Sequence, residues 1–175
     1  MPSRLRVVSG YVVGLLVLAL ARPTTRSLLV SLPFLLLGEA IRVWASGHIE
    51  KTQQLATGGP YAHTRNPLYL GSLFLALGVV VACFSVPVAV AVAVYLVAFY
   101  PSVINEEAAF LKRKFTREYE AWAWEVPAFW PRLAPAGPRQ SRFSWERVAR
   151  NREWSAAVAL PLVVLVLWAR TLLPF

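Results

Sequence analysis

Gly58-Gly59-Pro60-Tyr61-Ala62-His63-Thr64-Arg65-Asn66-Pro67-Leu68-Tyr69-Leu70-Gly71 is the stretch that decides how this chain is read. It leads from a glycine-rich polar approach into the mouth of an apolar segment. Asn66-Pro67 predicts a helix start, with Asn at the cap and Pro at the first helical position. A helix N-terminus presents unpaired N–H groups and the positive end of its dipole, so a ligand carboxylate or phosphate is favoured there. Arg65 adds a full positive charge at the same place. A second apolar run ends at Asn105-Glu106-Glu107, and a charged segment follows it.

Working outward, the chain has 175 residues, of which 57% are hydrophobic and 15% charged. Its mean hydropathy is +0.52. A soluble domain has a different balance. Five apolar runs, Leu5–Ala21, Ser27–Ala45, Pro67–Phe84, Val86–Val103 and Ser155–Pro174, have the length of transmembrane helices. They are expected to be helical because hydrocarbon cannot satisfy backbone polar groups. The expected fold is therefore all-α: a polytopic membrane protein of about five transmembrane helices plus a cytoplasmic amphipathic helix, forming one membrane-embedded domain over 1–175. Arg4 and Arg6, an apolar core and Ala19-Leu20-Ala21 also have the form of a secretory signal with a cleavage site. A retained first helix satisfies the same pattern.

The net charge is +9. With five spans, alternate loops share a side. Arg4, Arg6, Lys51, Arg65, Lys112, Arg113, Lys114, Arg117, Arg132, Arg139, Arg142, Arg147, Arg150 and Arg152 collect on one side, against Arg22, Arg26 and Arg170 on the other. The positive-inside rule then places the N-terminus and both informative loops in the cytoplasm. The basic excess reads as a topology signal, with attraction to anionic headgroups second, and no nucleic-acid partner is expected. One cysteine, Cys83, excludes an intramolecular disulfide and reads as a small buried apolar residue. No Cys/His set has zinc spacing, so no metal is expected. Asp is absent, which excludes a Ser-His-Asp triad.

Glu39 and Arg42 lie three residues apart in the second run and share a helix face. Two readings stand: groups facing other helices or a cavity, or a local ion pair with Arg42 reaching to the surface. The short link Cys83-Phe84-Ser85-Val86-Pro87 predicts an antiparallel hairpin, which brings residues 61–69 close to residues 103–110. Beyond it, Ile104, Ala108, Leu111, Phe115, Tyr119, Trp122 and Val126 step by three and four. They predict a continuing amphipathic helix that lies on the membrane surface or caps the hairpin. Residues 131–153 read as linker and interfacial segment, and residues 155–174 as an additional C-terminal span.

Taken together, Gly59-Pro60-Tyr61, Arg65-Asn66-Pro67-Leu68-Tyr69-Leu70-Gly71, Glu106-Glu107 with Phe110, and Phe115, Tyr119, Trp122 and Val126-Pro127 resemble the isoprenylcysteine carboxyl methyltransferases and the related membrane phospholipid methyltransferases. Arg42-Val43-Trp44-Ala45-Ser46-Gly47 also looks like bacterial members, and this resemblance implies a bacterial inner membrane as the location. The resemblance covers a methyltransferase-like core at 38–133. Asn66 stands where many relatives have histidine, Thr116 where glycine is common, and Trp122 where tyrosine is common. The resemblance implies an integral membrane methyltransferase dependent on S-adenosylmethionine. Its pocket would lie at the cytoplasmic end of the hairpin, with Tyr61, His63, Arg65, Asn66, Pro67 and Tyr69 on one wall and Glu106 and Glu107 on another. No catalytic base is assigned.

Of the basic residues near these motifs, Arg42, Lys51 and Arg132 are the candidates for contact with the acceptor. The expected acceptor is a lipophilic, lipidated or small amphipathic carboxylate, thiol or amine that enters from the lipid bilayer. Two alternatives remain: an NADPH-dependent membrane reductase of the sterol-reductase type, which has a similar arginine-proline-tyrosine run, and a non-catalytic membrane scaffold. The sequence leaves the acceptor atom and the oligomeric state open.

Overall fold

A computed structural model describes residues 3–50, 54–137 and 142–172. The order is α1 (Ser3–Leu20), α2 (Thr25–Ser46), a 3-10 turn (Gly59–Ala62), α3 (Pro67–Cys83), α4 (Val86–Lys114), α5 (Thr116–Glu125), α6 (Trp145–Arg150) and α7 (Trp154–Thr171). Among the described residues there is no strand. Two helices, α2 and α4, are long and apolar enough to cross a membrane, while α3 and residues 156–171 of α7 are apolar but shorter. Each of the five expected runs is helical over most of its described residues, yet among the described residues only these two helices meet the length and composition of a span. At 1.5 Å per residue α3 extends about 25 Å, short of a 30 Å hydrocarbon core. It is trimmed by Pro67 at its start and by Phe84 in left-handed conformation at its end (φ 46°).

The ends are set by local chemistry. Thr24 caps α2: its hydroxyl accepts from Ser27 N at 3.0 Å, and the Ser27 hydroxyl accepts from Thr24 N in return. The Ser27 hydroxyl also donates to Ala82 O at 2.9 Å, which ties the start of α2 to the end of α3. Asn66 occupies the cap position of α3 with Pro67 behind it, but its side chain makes no capping bond. The first-turn amides of α3 are left without that partner.

The main helix contact is α2 against α3, with α1 on α4 and α7 on α2. The approach of α2 to α3 is backbone to backbone. A Cβ on Gly38 would stand 2.7 Å from Gly71 O, and one on Gly71 would stand 2.8 Å from Gly38 O. Glycines at such crossings let helices close in where lipid gives no hydrophobic drive to pack. One core cluster joins Val17, Ala21, Leu28, Ala82, Cys83, Val88 and Leu167; Cys83 is fully buried in it. The other joins Ala45, Tyr61, Tyr119, Trp122, Val126 and Ala136 around the motif loop. The outer faces of α1, α2, α4 and α7 expose Leu and Val side chains such as Leu15, Leu36, Val97 and Leu162. Such faces suit contact with lipid.

Two expectations change. The amphipathic helix is not continuous: α4 runs to Lys114, the chain breaks at Phe115 (φ −119°, ψ 28°), and α5 starts afresh at Thr116. The local ion pair between Glu39 and Arg42 does not form either; of the two readings, the one in which these groups face neighbouring helices stands. Arg42 Nε meets Glu153 Oε1 at 2.6 Å and its Nη1 donates to Ser72 at 2.5 Å, whereas both Glu39 carboxylate oxygens are buried without a partner.

Candidate functional site

The loop 61–66 is held in place by the segment that follows α5. Arg65 N donates to Pro127 O at 2.9 Å, Ala136 N to Ala62 O at 2.9 Å, and Arg132 N to His63 O at 3.0 Å. Asn66 Nδ2 donates to Ala128 O at 2.7 Å. Thr64, 2% exposed, donates its hydroxyl to Phe129 O at 2.8 Å and accepts from Asn66 N at 3.3 Å. Trp122 Nε1 donates to Tyr61 O at 2.9 Å, which fastens α5 to the same loop. Residues 126–136 thus act as a strap over the motif.

Between this loop, the end of α4, and α5 lies a cavity of about 340 Å³. That is within the usual size of small-molecule sites, roughly 300–1,000 Å³. Its polar lining comes from Arg65 and Asn66 at the start of α3, Glu107 on α4, and Glu50 and Gln54 in the loop after α2. Tyr61, Tyr119, Trp122, Phe115, Leu111 and Leu68 supply apolar and aromatic walls. Arg65 Nη1 donates to Tyr119 Oη at 3.3 Å, yet Arg65 Nε is buried with no partner. Burial, reinforced by the negative charge of Glu107, pushes the Tyr61 phenol well above its ordinary value of 10. It is a neutral wall group in the physiological range.

The sequence-predicted residues divide. Tyr61, Arg65, Asn66 and Glu107 line the cavity. Tyr69 does not line it but donates to Glu107 Oε2 at 3.1 Å, so the two motifs meet as the hairpin requires. Pro67 is buried at the first position of α3, and Glu106 is exposed on α4 outside the cavity wall. His63 Nδ1 donates to Arg132 O at 2.8 Å, which ties it to the strap. Of the acceptor candidates, Arg132 donates from Nη1 to Glu125 O at 2.9 Å and Arg42 is committed to Glu153 and Ser72; neither lines the cavity. Lys51 lies outside the described residues.

Sequence reasoning missed Ile49, Leu55 and Glu50, which line the cavity from a loop with no periodicity to betray it. Glu50 is positioned by Arg147 Nη2 at 3.2 Å. Among the described residues no group of three or more His, Cys, Asp or Glu side chains gathers to hold a metal.

The described residues thus form an all-helical, largely apolar fold with a polar-lined cavity at the mouth of the α3–α4 hairpin. Residues 9–118 match the phospholipid methyltransferase family, and the chain belongs to that family. Curated relatives include the nickel-cobalt-cadmium resistance protein NccN of Alcaligenes xylosoxydans xylosoxydans, 35% identical over 95 residues. Another is the cobalt-zinc-cadmium resistance protein CzcN of Cupriavidus metallidurans, 37% identical over 95 residues. Each match spans 53% of this chain but only 44% of the relative. No solved structure matches.

Proposed function

We propose that this chain is an S-adenosylmethionine-dependent methyltransferase of the membrane, acting on a lipophilic or small amphipathic acceptor that carries a carboxylate, thiol or amine. Five spans, a cytoplasmic N-terminus and a cytoplasmic cavity complete the reading, on the strength of the loop charges and the positive-inside rule. The observation that carries it is the pairing of opposite charges around one cavity: Arg65, with an unused buried Nε, faces the same space as Glu107.

Those residues fit the cofactor's chemistry. Arg65 and the uncapped first turn of α3 would hold its carboxylate. Glu107, oriented by Tyr69, would accept hydrogen bonds from its ammonium or ribose diol. The cofactor supplies a methyl group made electrophilic by a sulfonium. Tyr61, Phe115, Tyr119 and Trp122 exclude water and present ring faces that favour a neighbouring cation. The protein's share of the catalysis is then mostly alignment, which is worth up to about 7–11 kcal/mol in favourable cases.

Calorimetry on detergent-solubilised protein tests this. Binding of S-adenosylmethionine is expected, and Arg65→Ala and Glu107→Ala should each weaken it. Full affinity in both variants removes the site, and binding of NADPH in place of S-adenosylmethionine replaces the reading with a reductase.

A further inference from the structure

The end of the bundle away from the cavity has a different character. Arg22, Arg26 and Arg170 stand there around the α3–α4 turn. The nine acidic residues of the chain fall at 39–50, 106–125 and 146–153, so no carboxylate side chain belongs to the segments that build this end. Arg170 is spent on closing α1, whose last carbonyls Leu18 O and Ala19 O accept from its guanidinium. Arg22 and Arg26 are exposed.

Two grooves open between these arginines. One, of about 910 Å³, is lined by Ala21, Arg22, Pro87 and Arg170. The other, of about 650 Å³, runs along Arg26, Val30, Val80, Val81 and Ala89. They share Phe84, Ser85 and Val86, so they form one continuous surface across the turn. At their junction begins α4, whose cap residue Ser85 makes no side-chain capping bond. The surface therefore pairs two guanidiniums and the positive end of a helix with an apolar channel leading down the bundle. A free anion would have use for the first part only, and an apolar molecule for the second only.

We propose that this surface binds an anionic phospholipid, its phosphate held by Arg22, Arg26 and Ser85 and an acyl chain laid in the groove past Val30 and Val81. Guanidinium matches phosphate with paired, charge-assisted hydrogen bonds, and the start of α4 favours the same charge. The site is independent of the methyl-donor cavity, which lies at the opposite end of the α3–α4 pair. It tethers the molecule to the leaflet facing away from that cavity.

Native mass spectrometry of the full chain in neutral detergent tests the site by titration with phosphatidylglycerol, phosphatidylcholine and inorganic phosphate. Phosphatidylglycerol should be retained most strongly. Arg22→Gln with Arg26→Gln should weaken it about tenfold, the order of one charge-assisted hydrogen bond. Lys112→Gln with Arg113→Gln, at the other end, should leave it unchanged. Equal retention by the Arg22/Arg26 variant, equal retention of phosphatidylcholine, or displacement by equimolar inorganic phosphate overturns the proposal. Should the double variant fail to fold, wild-type protein with phosphatidylglycerol bearing a photoreactive acyl chain decides: labelling within residues 24–30 or 80–90 supports the site, and labelling confined to other segments overturns it.

Discussion

Tyr69, in the first turn of α3, donates its hydroxyl to Glu107 Oε2 on α4 at 3.1 Å, and only the glutamate faces the cavity. The tyrosine therefore acts on a ligand through the orientation of its neighbour. Tyr69→Phe should lower affinity for S-adenosylmethionine about threefold to tenfold, the worth of one ordinary hydrogen bond, while Glu107→Gln should lower it further. Isothermal titration of both variants checks the order; equal losses would place Tyr69 in direct contact.

Thr64 is buried and holds two segments with one hydroxyl. Thr64→Val leaves Phe129 O without its donor and should destabilise the protein by about 1–3 kcal/mol. Thr64→Ser should restore most of it. Hydrogen exchange is the more telling readout, because the loosening should concentrate in residues 61–66 and 126–136 rather than in α2 or α7.

The Arg42–Glu153 pair fastens α7 to α2 at 2.6 Å, with the glutamate side chain only 8% exposed. Removing one partner strands the other, so Arg42→Met or Glu153→Gln should each cost about 3 kcal/mol or more. The combined Arg42→Met/Glu153→Gln change should be milder than either alone. Thermal unfolding in detergent measures the cycle, and simple additivity would show that the two groups do not depend on each other.

Gly59 adopts φ 58°, and a Cβ there would collide with the His48 ring. Gly59→Ala should cost about 1–2 kcal/mol from the left-handed backbone alone, with the clash in addition. Since the turn 59–62 carries Tyr61, loss of ligand affinity should accompany the lower melting temperature. A variant with wild-type affinity would show that the turn does not set the wall.

The long helices were readable because apolar runs of that length have few alternatives, and each expected run is helical within a few residues of its expected ends. The meeting of the two motifs was readable too, since the link Phe84-Ser85 is too short for anything but a hairpin. The break at Phe115 was not: the three-four spacing passes through it, and neither Gly nor Pro marks it. The strap was hidden for another reason. Its acceptors are the carbonyls of Pro127, Ala128 and Phe129, and a carbonyl has no side-chain signature. Arg42 found its partner 111 residues away, a distance at which helix-face reasoning has nothing to say; the nearer Glu39 had the right spacing and the wrong neighbours.

The mutual closeness of Gly38 and Gly71 has a consequence for anyone scanning this chain by mutagenesis. Each position is barred to every larger side chain by the other helix's carbonyl oxygen, although neither glycine touches the cavity. Both will score as indispensable in an activity screen, and Gly71 sits inside the very stretch that looks most catalytic. Intolerance there measures how near two rods must stand, and only a binding assay on folded protein will separate such keystones from residues that handle a ligand.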